Sequence, residues 1–194
     1  MLIVVRHGQT AANASGLLLG RADVPLTEHG RRQAAALAAA LPRPARLVSS
    51  PLGRARATAA AFGCPVEVDE RWIELDYGTL DEQPVSSVDE DVWRRWRADG
   101  DYVPAGGEAL SALGARVRQA CDDLADEATR SHVVVVTHVS PIKAAVAWAL
   151  GVDDAVAWRL HVADASVARI AVGPHGPALH SFNERFPPPD PSSR

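Results

Sequence analysis

Two histidines in this sequence stand where an apolar strand would hand over to a loop. His7 follows Leu2-Ile-Val-Val5 and Arg6, and His138 follows Val133-Val-Val-Val136 and Thr137. A neutral imidazole has a free lone pair at physiological pH and can act as a phosphoryl nucleophile. Arg6 offers a rigid fork of N–H donors matched to phosphate oxygens, and Gly8 lets main chain approach an oxyanion. Arg54 lies in Ser49-Ser-Pro-Leu-Gly-Arg54-Ala-Arg56-Ala-Thr58-Ala59, where a strand end meets a helix start. Free N–H groups at that place favour anions, and the helix dipole disfavours a cation. An arginine in that first turn therefore makes sense against an anionic ligand, whereas Arg56 reads as a solvated surface residue. Glu74, within Trp72-Ile-Glu74-Leu-Asp76-Tyr77-Gly78, has the chemistry to protonate a leaving alkoxide beside a dianion. Taken singly, each has a bland reading: a chance polar loop, a surface carboxylate, a core histidine satisfied by main chain.

The elements that must position these residues alternate between strand and helix. Leu2–Val5 is a short apolar run suited to a strand buried on both faces. Gly8–Pro25 reads as a loop without helical period over most of its length. Thr27 is placed to cap a helix running to about Leu41, stopped by Pro42 and Pro44. Ala45–Ser49 is a second strand, followed by a helix over about Leu52–Phe62 and a third strand at Pro65–Asp69. Helices are expected near Val88–Arg97 and from about Glu108 to Ala128. His132–Thr137 is another buried strand, followed by a helix over about Pro141–Leu150 that ends at Gly151. Two late strands, near Ser166–Val172 and Ala178–Phe182, flank the turn residues Gly173-Pro-His-Gly-Pro177. The expected fold is α/β: three layers, a mostly parallel central sheet with helices on both faces. Residues 1–185 form a single domain in this reading, and 186–194 a Pro-rich, flexible tail. In such sheets ligands bind outside the carboxyl ends of the strands, where His7 and His138 both fall.

Composition narrows the partners. The 194 residues carry 20 basic and 24 acidic side chains, a formal charge of −4, so no global basic field argues for nucleic acid or an anionic membrane. No stretch approaches the roughly 18–20 apolar residues a membrane span needs. Cys64 and Cys121 fit neither a metal spacing nor a disulfide framework and read as free thiols, so a cytoplasmic location is expected. A metal site built on His7 and His138 is the alternative chemistry, but no compact set of carboxylate or cysteine ligands accompanies them. His29, His132, His161, His175 and His180 have no such company and read as structural or surface residues. Trp93 and Trp96 in Val92-Trp-Arg-Arg-Trp-Arg97 are spaced to pack inward with the arginines facing water, although the arginines could also form an anion patch. Exposure of Trp93, Trp96, Trp148 or Trp158 would suggest a homodimer surface.

Together these pieces resemble the histidine phosphatase superfamily, in the phosphoglycerate-mutase-like branch. The matching residues are Arg6-His7-Gly8-Gln9-Thr10 with Asn13, then Gly20-Arg21-Ala-Asp23-Val-Pro25-Leu26-Thr27, Gly30 and Gln33-Ala34. They continue through Ser49-Ser50-Pro-Leu-Gly-Arg54-Ala, Thr58-Ala59, Ile73-Glu74, Tyr77-Gly78, Gly106-Gly107-Glu108 and Thr137-His138, in order over about residues 1–172. The resemblance implies that His7 is the nucleophile of a phosphohistidine mechanism on a small phosphomonoester. It implies that Arg6, Arg54 and His138 hold the phosphoryl oxygens, and that Glu74 is general acid and then general base. Asn13, Gln9 and Arg21 would line the substrate entrance, with no metal and no cofactor required. The two guanidinium groups should keep His7 neutral, and His138 should be charged against a bound dianion. A protonated Glu74 implies an acidic to neutral optimum.

The chain departs from the family pattern in two places. Gly78-Thr-Leu80-Asp81-Glu82 stands where Gly-x-Trp-Glu-Gly is frequent, and Ala109 stands where Ser is frequent. Both are expected to alter the rim rather than the phosphoryl pocket. The segment Val139-Ser-Pro141-Ile-Lys143 resembles the phosphatase members, such as α-ribazole-phosphate and broad-specificity acid phosphatases. A cofactor-dependent phosphoglycerate mutase is the alternative. A non-catalytic phospho-ligand binder is the third reading, disfavoured because His7 and Glu74 are both present.

Overall fold

A computed structural model describes residues 1–188. Its six-stranded sheet comprises β1 (Leu2–Arg6), β2 (Arg46–Ser49), β3 (Glu67–Val68), β4 (Val133–Thr137), β5 (Ser166–Gly173) and β6 (Gly176–Arg185), in the order β3-β2-β4-β1-β5-β6. The helices are α1 (Ala11–Ala14), α2 (Glu28–Ala40), α3 (Gly53–Ala60), α4 (Glu90–Ala98), α5 (Leu110–Arg130) and α6 (Val139–Leu150). The first four strands in that order pair in parallel, and β5 and β6 extend the sheet antiparallel from β1. The sheet is mostly parallel, as expected, with the expected late hairpin as its antiparallel edge. The tight turn at Pro174–His175 closes the hairpin, which requires an antiparallel pair at that edge.

The two-residue period of β1 divides the core. Leu2 and Val4 face one layer with Val133, Val135 and residues of α5 and α6, including Leu113, Val117 and Ala145. Ile3 and Val5 face the other, with Val134, Val136, Leu37 of α2 and Ala55 and Ala59 of α3. Leu2 to Val5 are completely buried, which explains their unbroken apolar run. Each such side chain contributes about 1.5–3 kcal/mol on burial.

Two expectations are corrected. The loop after His7 contains α1, because Thr10 and Asn13 form a reciprocal capping box that closes one turn without any apolar period. Phe186, assigned to the tail, packs against the second core layer; residues 189–194 of that tail lie outside the described residues. Trp96 is buried, Trp93, Trp148 and Trp158 are half-buried, and Arg94, Arg95 and Arg97 are exposed. Trp93 and Trp96 therefore face inward as their spacing predicts. No described helix is long and apolar enough to cross a membrane.

Candidate active site

Because β2, β4 and β1 are parallel neighbours, the residues following their carboxyl ends meet at one edge of the sheet. The His7 N–H donates to Thr137 O at 3.0 Å and the Ser50 N–H to Val136 O at 2.9 Å. The ring centroids of His7 and His138 lie 5.1 Å apart, inclined at 60°. The loop carrying His7 is packed main chain to main chain against the start of α2. A Cβ on Gly8 would fall 2.3 Å from Gly30 O, and one on Gly30 would fall 2.1 Å from Gln9 O.

Hydrogen bonding defines the His7 tautomer. Its Nδ1 lies 2.7 Å from Gly8 O and so carries the proton, leaving the lone pair on Nε2, which accepts from Arg54 Nε at 3.2 Å. The Arg54 side chain is completely buried. Its Nη1 donates to Ala22 O and its Nη2 to Gly20 O, both at 2.6 Å, so one N–H on each Nη stays free. Thr58 ties the two residues together, accepting from Gly8 N at 3.0 Å and donating to Arg54 O at 2.9 Å.

The loop that grips Arg54 is itself held by Asp81. Its carboxylate accepts from the main-chain N–H groups of Gly20 (2.7 Å), Arg21 (2.9 Å) and Ala22 (2.9 Å). The departure at Asp81 therefore reaches the pocket through two layers of hydrogen bonds, contrary to its expected confinement to the rim. Asp81→Ala should lower kcat/KM about tenfold by loosening Arg54, the scale of one or two lost charge-assisted bonds. Steady-state kinetics beside a melting curve will separate this from unfolding.

His138 Nε2 is 2.7 Å from Ser50 Oγ, and its Nδ1 is buried without a partner among the described residues. Arg6 turns its fork the other way: Nη1 donates to Val162 O and Nη2 pairs with Asp164, each at 2.8 Å. Its buried Nε has no partner among the described residues. Glu74 is only 2% exposed and so lies inside the wall rather than on the rim. Its oxygens accept from Leu75 N at 2.7 Å, Val139 N at 3.0 Å and Ser140 N at 3.1 Å, the last two at the first turn of α6. Arg116 fastens this segment from α5. Its Nη1 donates to Arg71 O and Ile73 O at 2.6 and 2.8 Å, and Glu108 grips its guanidinium.

The three residues expected at the entrance are only partly free. Asn13 Oδ1 accepts from Thr10 N and Oγ1, and Gln9 Oε1 accepts from Thr27 Oγ1, which leaves both amide NH2 groups without a partner among the described residues. Arg21 spans to Asp76 and Glu108, each at 3.3 Å. Sequence reasoning assigned no role to Ser50, Thr58, Asp81, Arg116 or Ser140. Ser50 and Thr58 stand inside quoted motifs, whereas Arg116 looks like any arginine on a solvated helix face.

Burial holds both imidazoles well below the ordinary histidine pKa. Arg6 and Arg54 push His7 further down, and His7, Arg54, Arg6 and Arg116 do the same to His138. The neutral His7 expected from the guanidinium groups is found, with burial the larger cause. His138 is also neutral without ligand, so a charged form requires the dianion. Both folded-state values lie below the unfolded one, so below about pH 6.5 the unfolded chain binds protons that the folded chain refuses. Stability should therefore be flat above neutrality and fall on acidification, by at most about 1.4 kcal/mol per pH unit for each histidine. Melting temperatures of the wild type and of His138→Gln between pH 5 and 8 will check this, the variant having the shallower acid limb.

A buried, neutral histidine with its lone pair directed at an arginine thus stands at the carboxyl edge of this sheet. The chain belongs to the histidine phosphatase superfamily (branch 1), which it matches over residues 2–185. It is similar to a Serratia proteamaculans protein named "probable phosphoglycerate mutase GpmB", 34% identical over 76% of this chain and 74% of the other. Among solved structures it resembles a mycobacterial glucosyl-3-phosphoglycerate phosphatase complexed with VO3, with TM-score 0.83 and 32% identity over 94% of this chain and 98% of the other. It also resembles a phosphoserine phosphatase mutant from Entamoeba histolytica bound to phosphoserine, with TM-score 0.87 and 25% identity over 94% and 96%. The chain spans 44% of the length of the first curated relatives it matches.

Proposed function

We propose that the chain is a phosphomonoesterase that hydrolyses a small phosphorylated metabolite through a phosphohistidine on His7 Nε2. The observation that carries this reading is that residues adjoining His7 keep buried polar groups without partners among the described residues. Arg6 Nε and His138 Nδ1 have no partner among the described residues, and Arg54, in contact with Nε2, has N–H groups to spare. A buried N–H without an acceptor, such as Arg6 Nε, suits an oxyanion and is costly without one, and His138 Nδ1 adds another in the tautomer whose Nε2 accepts from Ser50 Oγ.

In the first step Nε2 attacks phosphorus in line, the P–O bond to the leaving group breaks, and a protonated Glu74 supplies the proton to the departing oxygen. In the second, water attacks the phosphohistidine, Glu74 accepts the proton, and the P–N bond breaks to release phosphate. Arg6, Arg54 and His138 neutralise the transferring group in both transition states, so the scheme calls for no metal and no cofactor. Asn13, Gln9 and Arg21 contribute to substrate binding in this reading. The free Cys64 and Cys121 suit a reducing, cytoplasmic compartment.

The likeness to a protein named for mutase activity supports a second reading, return of the phosphoryl group to a bound phosphoglycerate. Phosphate release from p-nitrophenyl phosphate, run against interconversion of 2- and 3-phosphoglycerate, decides between them. Release without interconversion is the expected result, and interconversion without release would overturn it.

A further inference from the structure

Beside Glu74 lies a cavity of about 180 Å³ lined by Tyr77, Trp93, Trp96, Trp158, Lys143 and Ser140, among others. It adjoins the phosphoryl site through Val139 and Ser140, which line it and donate their N–H groups to Glu74. Ser140 also meets the Tyr77 hydroxyl at 3.3 Å. The cavity and Glu74 thus share the first turn of α6.

The walls are flat and braced. Trp93 stacks on Trp96 with centroids 5.7 Å apart, Trp158 meets both edge-on at 6.1 and 5.9 Å, and Tyr77 meets Trp96 at 5.7 Å. A void of about 150 Å³ holds one benzene ring, so this one takes a ring or a comparable apolar body. Its polar groups are unusual in kind. Lys143, the only lysine of the chain, is half-buried there with no hydrogen bond or ion pair among the described residues, and Trp96 Nε1 is buried without an acceptor. Both are donors in search of an acceptor. Burial pushes the Lys143 ammonium below its ordinary value while Glu74 opposes the shift, so an anion at this place would be welcome.

We infer that this cavity is the leaving-group site and that Lys143 selects phosphomonoesters whose alcohol portion joins a flat apolar body to a carboxylate. The inference rests on the phosphatase reading for the word substrate, but the pocket can be tested without turnover. Benzylphosphonate and 4-carboxybenzylphosphonate are non-hydrolysable probes that replace the ester oxygen by carbon, and the tryptophans report their binding by fluorescence. The carboxylated probe should bind at least about tenfold more tightly to the wild type, the scale of one charge-assisted hydrogen bond. The ratio should fall toward one in Lys143→Met and recover in Lys143→Arg. Equal affinities in the wild type, or a preference that survives Lys143→Met, would overturn the assignment. Phosphate release from the matching phenyl and 4-carboxyphenyl phosphates is read separately. Its absence beside a carboxylate preference in binding would sink the hydrolase reading and leave the pocket assignment standing.

Discussion

His7→Ala is expected to cut phosphate release by at least about a thousandfold, because the nucleophile has no substitute within reach. The only other imidazole at the site, His138, sits 5.1 Å away by ring centroid and has its Nε2 engaged with Ser50. The substitution also leaves Arg54 Nε without its acceptor, so a circular dichroism spectrum and a melting curve must accompany the kinetics. The more specific readout is covalent. Wild-type enzyme quenched during turnover of a 32P-labelled monoester should retain label, and His7→Ala should retain none. Undiminished turnover in the variant would end the phosphohistidine scheme.

Glu74→Gln should separate substrates by their leaving groups. For an alkyl phosphate, whose alkoxide needs a proton as it departs, the rate should fall by about 10²–10⁴. For p-nitrophenyl phosphate the first step needs little protonation, so the variant should release a burst of nitrophenol and then turn over slowly, the second step still lacking a base. The ratio between substrates matters more than either rate alone. A glutamine amide must set an NH2 against one of the N–H groups of Leu75, Val139 or Ser140 that the carboxylate now accepts from, and some loss will come from displacement. Equal losses in the first step on both substrates, with no burst on p-nitrophenyl phosphate, would leave Glu74 a positioning role only. His7, depressed mainly by burial, stays neutral well into acid, so protonation of the nucleophile should not limit the wild-type rate at mildly acidic pH.

Much of this was legible in the chain itself. The buried runs at Leu2–Val5 and Val133–Val136, the cap at Thr27 and the turn at Pro174–His175 are local facts, set by side-chain burial, one hydroxyl and ring geometry, and they fall where their residues demand. The order of motifs pointed to His7, Arg54, Glu74 and His138 because each sits at an element boundary beside residues of matching chemistry. Only the tertiary structure could show what each side chain spends its hydrogen bonds on. Arg6 turns its fork to Val162 and Asp164 and keeps one orphaned donor, and Asp81 holds Arg54 through a loop sixty residues away in sequence. Arg116 fastens Glu74 from another helix, and Lys143 gathers with three tryptophans from two other elements. Periodicity and capping act over a few neighbouring residues, whereas the partner of a buried polar group is decided by which elements the parallel sheet brings side by side.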